Sequence, residues 1–259
     1  MNKLVVGADK SPILENISEN FLIVDDGPII EQFHLPKRRK ITEFDISKNS
    51  FNPLRGMDHH KARNLASVFY AADPGGDDTL TVRNGKRSLA KLLIGATRLD
   101  KISGDMKDPA MAEALGLLES VLFSPVLKNV LLKPTSFSFK GTILVRLDRA
   151  KLGEFDCYVL ANLLISQYPG TIIIPDFGFY QCPFHSELLR QDRLVAGINT
   201  FAEVPEFKQK LLQVEDKIAS RCTPEDAEIL APYLTSHLPD TDGYDTYLKA
   251  SIGGRAETR

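Results

Sequence analysis

The sequence predicts an α/β fold: a mostly parallel sheet with helices on both faces and a helical insertion. Three observations carry this. Short apolar runs bounded by turn residues recur along the chain, as LVVG, FLIVDDG, TILVRL, TIIIPD and LVAGIN. Segments with apolar residues at three and four spacing separate several of them. A chain of 259 residues that is 43% hydrophobic can also bury a sizeable core. Strands that alternate with helices argue for parallel pairing, with both sheet faces covered.

Residues 1–56 read as strand, helix, strand, strand: LVVG, helical spacing in ILENIS, FLIVDDG, then KITEFDI running into the turn FNPLRG. Residues 57–135 read as a helical insertion, from ARNLASVFY, RSLAKLLIGATRL and DPAMAEALGLLESVLFSPVL. DPGGDDT breaks it with a Pro74-Gly75-Gly76 turn, and Thr79 and Thr81 are possible starts of the next element. From 139 onward strands and helices alternate again. TILVRL is a strand, FDCYVLANLLISQY an amphipathic helix and TIIIPD a buried strand; HSELLRQ is a helix, and LVAGIN and KIASRC are strands. Thr223-Pro224-Glu225-Asp226 supplies an N-cap, a proline at the first helical position and first-turn acids, opening a last helix. With no repeat, low-complexity segment or Gly/Ser linker, residues 1–259 parse as a single domain carrying the insertion at 57–135.

Composition narrows the function. Cys157, Cys182 and Cys222 are an odd number without metal-ligand spacing, so neither a disulfide framework nor a zinc site is implied, and a reducing, cytoplasmic setting fits. No stretch approaches the roughly 20 apolar residues of a membrane span, and no signal peptide is visible. A net charge of −2 excludes a uniformly basic nucleic-acid coat but not a local patch. Lys37-Arg38-Arg39-Lys40 reads as a solvated turn entering a strand, with a DNA contact as the alternative. His59 and His60, without further ligands, read as solvated. Cys182 and His185 lack a third orienting group for a nucleophile pair.

VVGADKSPIL joins an apolar strand, a glycine and a Lys-Ser pair before a helix start, and so resembles a phosphate-binding loop, in which backbone N–H groups wrap phosphates and a lysine neutralises charge. TIIIPDFG supplies the apolar strand ending in an aspartate that such loops use to hold Mg²⁺. Taken with FNPL, HSELLRQDRLVAGINTF and DKIASRCTPEDAEILAPYL, this succession resembles the HerA/FtsK superfamily of P-loop ATPases, above all the type IV secretion coupling proteins and related mobile-element ATPases. The resemblance implies a P-loop NTPase-like fold of the RecA/HerA type. It puts Gly7, Lys10 and Ser11 on the Walker A glycine, lysine and magnesium-binding hydroxyl, Asp176 on the Walker B aspartate and Asn199 near the polar sensor. Arg193 falls where a helix-end basic residue is common, and LVVG is expected beside TIIIPD.

Several residues depart from that pattern. Only Ala8 and Asp9 separate Gly7 from Lys10, which leaves few N–H donors; Asp9 adds negative charge; Pro12 removes a donor; and Phe177 stands where hydrolytic relatives place a base. Without a ligand, Ser11 and Pro12 read as the N-cap and first residue of a helix, Asp176 as a strand-end turn and Asn199 likewise. The resulting expectation is a non-catalytic member from a phage or other mobile element, a structural or assembly partner in DNA packaging or translocation. It would work through protein partners or self-assembly and use no cofactor. One alternative retains ATP and Mg²⁺ through Lys10, Ser11 and Asp176, with a catalytic acid such as Glu43 or Glu203, or an arginine, supplied by a neighbouring subunit. Another is a DNA-binding module using Lys37, Arg38, Arg39 and Lys40 with Arg55 and Lys61.

Overall fold

The computed structural model describes residues 1–14, 17–25, 40–72 and 80–234. The Lys37, Arg38 and Arg39 part of the basic run, the DPGGDDT loop and the tail SIGGRAETR lie outside the described residues. Two compact units are formed. The first draws on described residues within Met1–Arg39, Gly170–Gln181 and His185–Arg259, and the second on those within Lys40–Pro169 and Cys182–Phe184.

In the first unit five parallel strands pair in the order β2-β5-β6-β1-β7: β1 (Lys3–Val6), β2 (Phe21–Asp25), β5 (Thr171–Ile174), β6 (Leu194–Ile198) and β7 (Asp216–Ala219). β1, β2, β5 and β6 are buried at every position, which is why they read as unbroken apolar runs rather than alternating ones. β7 keeps partial exposure along its length. The buried Lys3 is accommodated because its ammonium donates to the Pro12 carbonyl at 2.6 Å. The expected neighbour of LVVG is corrected here: β6, not β5, lies beside β1. Periodicity identifies strands but carries nothing about which strand a crossover returns to.

Helices of this unit are short: α7 (Phe177–Tyr180), α8 (His185–Arg190), α9 (Lys208–Leu211) and α10 (Pro224–Leu234). The α10 start matches its sequence signal. Thr223 Oγ1 accepts the Asp226 N–H at 3.2 Å and donates to Asp226 Oδ2 at 2.9 Å. Buried Asp226 also accepts from Phe201 N–H (3.0 Å) and Thr200 Oγ1 (3.1 Å), tying the helix to the turn after β6. The helix expected in ILENIS is, in its described part, a single 3-10 turn over Ser11–Leu14.

The second unit holds β3 (Ile41–Phe44) and β4 (Thr142–Arg146), paired in parallel, with α1 (His59–Ala72), α2 (Leu80–Leu93), α3 (Pro109–Phe123), α4 (Pro125–Leu131), α5 (Arg149–Leu152) and α6 (Glu154–Gln167). In the FNPLRG turn the Asn52 side chain accepts the Leu54 N–H at 3.0 Å and donates to the Thr97 carbonyl at 2.8 Å, an Asx turn that Pro53 continues. Phe44, Phe51, Phe137 and Phe139 meet edge to face, with ring centroids 4.9 to 6.0 Å apart. The apolar run of α3 and α4 is broken by Ser124, which caps α4 and precedes Pro125, and the two helices meet at 94°. Among the described residues no single helix is long and apolar enough to cross a membrane.

α6 differs from the amphipathic helix its sequence suggests. Asp156, Cys157 and Val159 through Ile165 are all buried, so the helix is enclosed nearly all round. Two of its buried polar groups bond inside the protein: Asp156 accepts from Ser124 Oγ at 2.7 Å, and the Asn162 amide nitrogen donates to the Tyr158 carbonyl at 3.1 Å. Replacing fully buried Leu160 by alanine is expected to cost about 2 to 5 kcal/mol in urea denaturation, by lost transfer energy plus the cavity left behind. A loss under about 1 kcal/mol, the range of surface changes, would show that α6 is not enclosed.

Candidate functional site

Ligands of parallel α/β sheets gather beyond the carboxyl ends of the strands, and there β1 delivers the loop Gly7-Ala8-Asp9-Lys10. The loop lies tightly on its neighbours. Gly7 has φ +119°, and a Cβ there would come within 1.8 Å of the Ser220 carbonyl oxygen, so only glycine fits. Gly7 N–H donates to the Ile198 carbonyl at 2.9 Å, Ser220 N–H to that of Val6 at 2.8 Å, and Ala8 N–H reaches that of Arg221 at 3.4 Å. The Asp9 carboxylate accepts the Ser11 N–H at 2.9 Å. Burial works against ionisation of Asp9, but hydrogen bonds from the Ser11 N–H and from the Ser11 and Ser220 hydroxyls, with Arg221 nearby, outweigh it and lower its pKa. The helix start is therefore capped by Asp9 rather than by Ser11, because the first i to i+3 bond runs from Ile13 N–H to the Lys10 carbonyl and puts Ser11 inside the turn.

Lys10 is 4% exposed. Its ammonium donates to the Gly7 carbonyl at 2.5 Å and to the carbonyl of Ile198, at the end of β6. Gly197 makes room for this: a Cβ there would sit 2.4 Å from the Pro175 carbonyl oxygen and 3.1 Å from Lys10 Cδ. Burial lowers the Lys10 pKa to about 8, against the opposing pull of Glu203, Asp176 and Asp9.

Of the residues expected at a nucleotide site, Gly7, Lys10 and Asp176 converge on this edge, and Asn199 joins them through Glu203. Asp176 caps α7, with its carboxylate accepting Phe179 N–H at 3.4 Å. Asn199 gives its backbone N–H and its amide to the two Glu203 oxygens, at 3.1 and 3.0 Å. Sequence alone could not rank Glu203 against Glu43. Glu203 belongs to the Lys10 cluster, whereas Glu43, in the other unit, pairs with Arg146 at 3.3 Å. The retrospective signal is the i, i+4 spacing of Asn199 and Glu203 just after a strand end. Arg193 holds the Gly170 carbonyl at 3.0 Å at the amino end of β6, the opposite edge from Lys10. Lys40 is exposed just before β3, in the second unit. Ser11 and Asp176, the pair that would hold Mg²⁺, are engaged separately, with Asp9 and with the α7 amides, and fit a shared metal poorly.

Other candidate chemistry is quenched by burial. The Cys182 thiol is pushed up to about 11, chiefly by burial, and His185, fully buried against Phe177 with ring centroids 5.5 Å apart, is pushed down to about 3.

Lys10 makes stability depend on pH. An unfolded lysine titrates near 10.5, so between about pH 8 and 10.5 the unfolded chain binds the proton that folded Lys10 has released. Stability is expected to rise with pH across that window, by on the order of 3 kcal/mol relative to Lys10→Met. Urea denaturation of both proteins along a pH series reads this; parallel curves would show that Lys10 is not buried as a cation.

Neither a family model nor a curated protein matches the chain. Solved structures do. The plasmid coupling protein TrwB, in complex with the non-hydrolysable ATP analogue ADPNP, superposes with a TM-score of 0.57 at 13% identity, over 89% of this chain and 73% of that one. An unbound monoclinic form of the bacterial conjugative coupling protein TrwBdeltaN70 gives the same score and identity, over 89% and 71%. The interposed β6 does not remove the resemblance, since the match extends over most of both chains. The chain thus has the P-loop NTPase-like α/β fold of a conjugative coupling protein, the fold implied by the likeness to the HerA/FtsK group.

Proposed function

We propose that this is a non-catalytic P-loop ATPase-like protein of a phage or other mobile element, a structural or assembly partner in DNA packaging or translocation. In this reading it is a single P-loop NTPase-like domain with an insertion over 57–135, cytoplasmic, and retained for contacts with proteins or with copies of itself. One observation carries the reading: the Lys10 ammonium, which should face phosphate, is bonded to the Gly7 and Ile198 carbonyls.

Three further features support it. The Gly7 and Ala8 amides already donate to strand-end carbonyls. The cleft beside the loop, lined by Asp9, Ser11, Ser220 and Arg221, measures about 190 Å³, against about 300 to 1,000 Å³ for ordinary ligand pockets, and a carboxylate stands in it. Phe177, following Asp176, is fully buried against His185 and Phe207 and belongs to the core.

A second reading retains ATP. It is favoured by the convergence of Lys10, Asp176 and Glu203 and by the ADPNP complex of TrwB. The two separate in one experiment, a melting curve with and without millimolar ATP and Mg²⁺ combined with a phosphate-release assay. We expect no shift and no release. A ligand at 100 times its dissociation constant adds about 2.7 kcal/mol; a shift of that size lost in Lys10→Met would establish nucleotide binding, and phosphate release would overturn the non-catalytic reading.

A further inference from the structure

We propose that the Glu203 carboxylate fills an oxyanion site built by the first unit, beside the ends of β5, β6 and the Lys10 loop, and that displacing it opens that site to inorganic phosphate. Glu203 thereby acts as an autoinhibitory plug supplied by the chain itself. The inference rests on the reading that the loop holds no nucleotide, and it names what is held there instead.

Donors converge on this carboxylate. One residue holds both of its oxygens: the Asn199 backbone N–H donates to Oε2 at 3.1 Å and the Asn199 side-chain amide to Oε1 at 3.0 Å. Such a fork at a strand end suits a phosphate oxygen pair as well as a carboxylate, because both are oxyanions that accept from N–H groups. The buried Lys10 ammonium adds its field, and among the acids that act on it Glu203 has the largest effect, ahead of Asp176 and Asp9. Fixed N–H donors and a cation directed at one spot are the elements of an oxyanion site.

The space is prepared as well. At Gly178, in α7, a Cβ would come within 2.7 Å of Glu203 Oε2, 3.1 Å of its Cβ and 3.3 Å of its Cδ, so the carboxylate lies where a side chain would otherwise project. The 3-10 turn Phe201–Glu203 that delivers it is fastened independently of the carboxylate. Gln181 Nε2 donates to the carbonyls of Gly178 at 3.0 Å and of Glu203 at 2.8 Å, and buried Asp226 accepts the Phe201 N–H at 3.0 Å. The backbone at residue 203 is therefore held while its side chain can be removed or turned aside.

Access and affinity follow from the surroundings. Asn199 is exposed and Glu203 half-buried, so a small anion can reach the fork, and water can take up the donors when the carboxylate leaves. Asp9 and Asp176 stay in place, the first accepting the Ser11 N–H and the second that of Phe179. Their charge keeps any external anion weakly bound, in the millimolar range, and disfavours one as highly charged as a triphosphate.

The test is calorimetric titration of the whole chain with inorganic phosphate, in the wild type and in two variants that empty the fork by different routes. Glu203→Ala deletes the carboxylate. Gly178→Ala keeps it but sets a methyl group against Oε2, the far end of a flexible side chain, which gives way before the backbone does. Glu203→Ala is expected to bind phosphate about tenfold tighter than the wild type or more, with Gly178→Ala in between. Adding Asn199→Ala to Glu203→Ala should remove most of the gain. A gain of binding cannot come from an unfolded chain. The proposal is overturned by wild-type binding as tight as that of Glu203→Ala, by a gain in neither variant, or by a gain that survives Asn199→Ala. ATP binding by the wild type would instead remove the reading beneath it; a wild type silent to ATP, with both variants silent to phosphate, removes this inference alone.

Discussion

The closeness of Gly7 to the Ser220 carbonyl governs the whole carboxyl edge of the first unit. With a Cβ position only 1.8 Å from that oxygen, the chain leaving β1 has no freedom to bow outward, and its amides fall onto the carbonyls of Ile198 and Arg221. Buried backbone groups at strand ends must find partners, and a loop two residues long between Gly7 and Lys10 supplies them at once. The same economy leaves the lysine stem only one direction, over Gly197 and onto the last carbonyl of β6. A longer loop would hold its amides apart from the strands; this one spends them on the fold.

The electrostatics follow from that packing. An ammonium enclosed at 4% exposure is costly unless it is paired, and Lys10 has two carbonyl acceptors at bonding distance, with Glu203, Asp176 and Asp9 acting through space. Glu203 in turn gives both oxygens to Asn199, and Asp9 gives one to the Ser11 amide. Lys10, Glu203 and Asp9 therefore each have an assignment inside the protein. A triphosphate entering here would have to displace carbonyls from Lys10 and bring further negative charge towards three carboxylates.

Much of the architecture was legible because parallel strands buried on both faces betray themselves as apolar runs, as in Ile172–Ile174, and because Thr223-Pro224 is a local signal whose meaning does not depend on the rest of the chain. Three features were not legible, each for its own reason. The place of β6 between β1 and β5 is set by crossover connections, which leave no trace in periodicity. α6 reads as amphipathic because its sequence mixes polar with apolar residues, whereas Asp156 pairs with Ser124 and the Asn162 amide bonds back to its own helix. At the loop, Ser11 looked like the cap because it precedes Pro12, yet the acceptor is Asp9, the residue that also looked most hostile to phosphate. Gly7, Lys10 and Asp176 were found by resemblance, while the partners that define their state, the carbonyls of Ile198 and Arg221, are backbone atoms with no sequence signature.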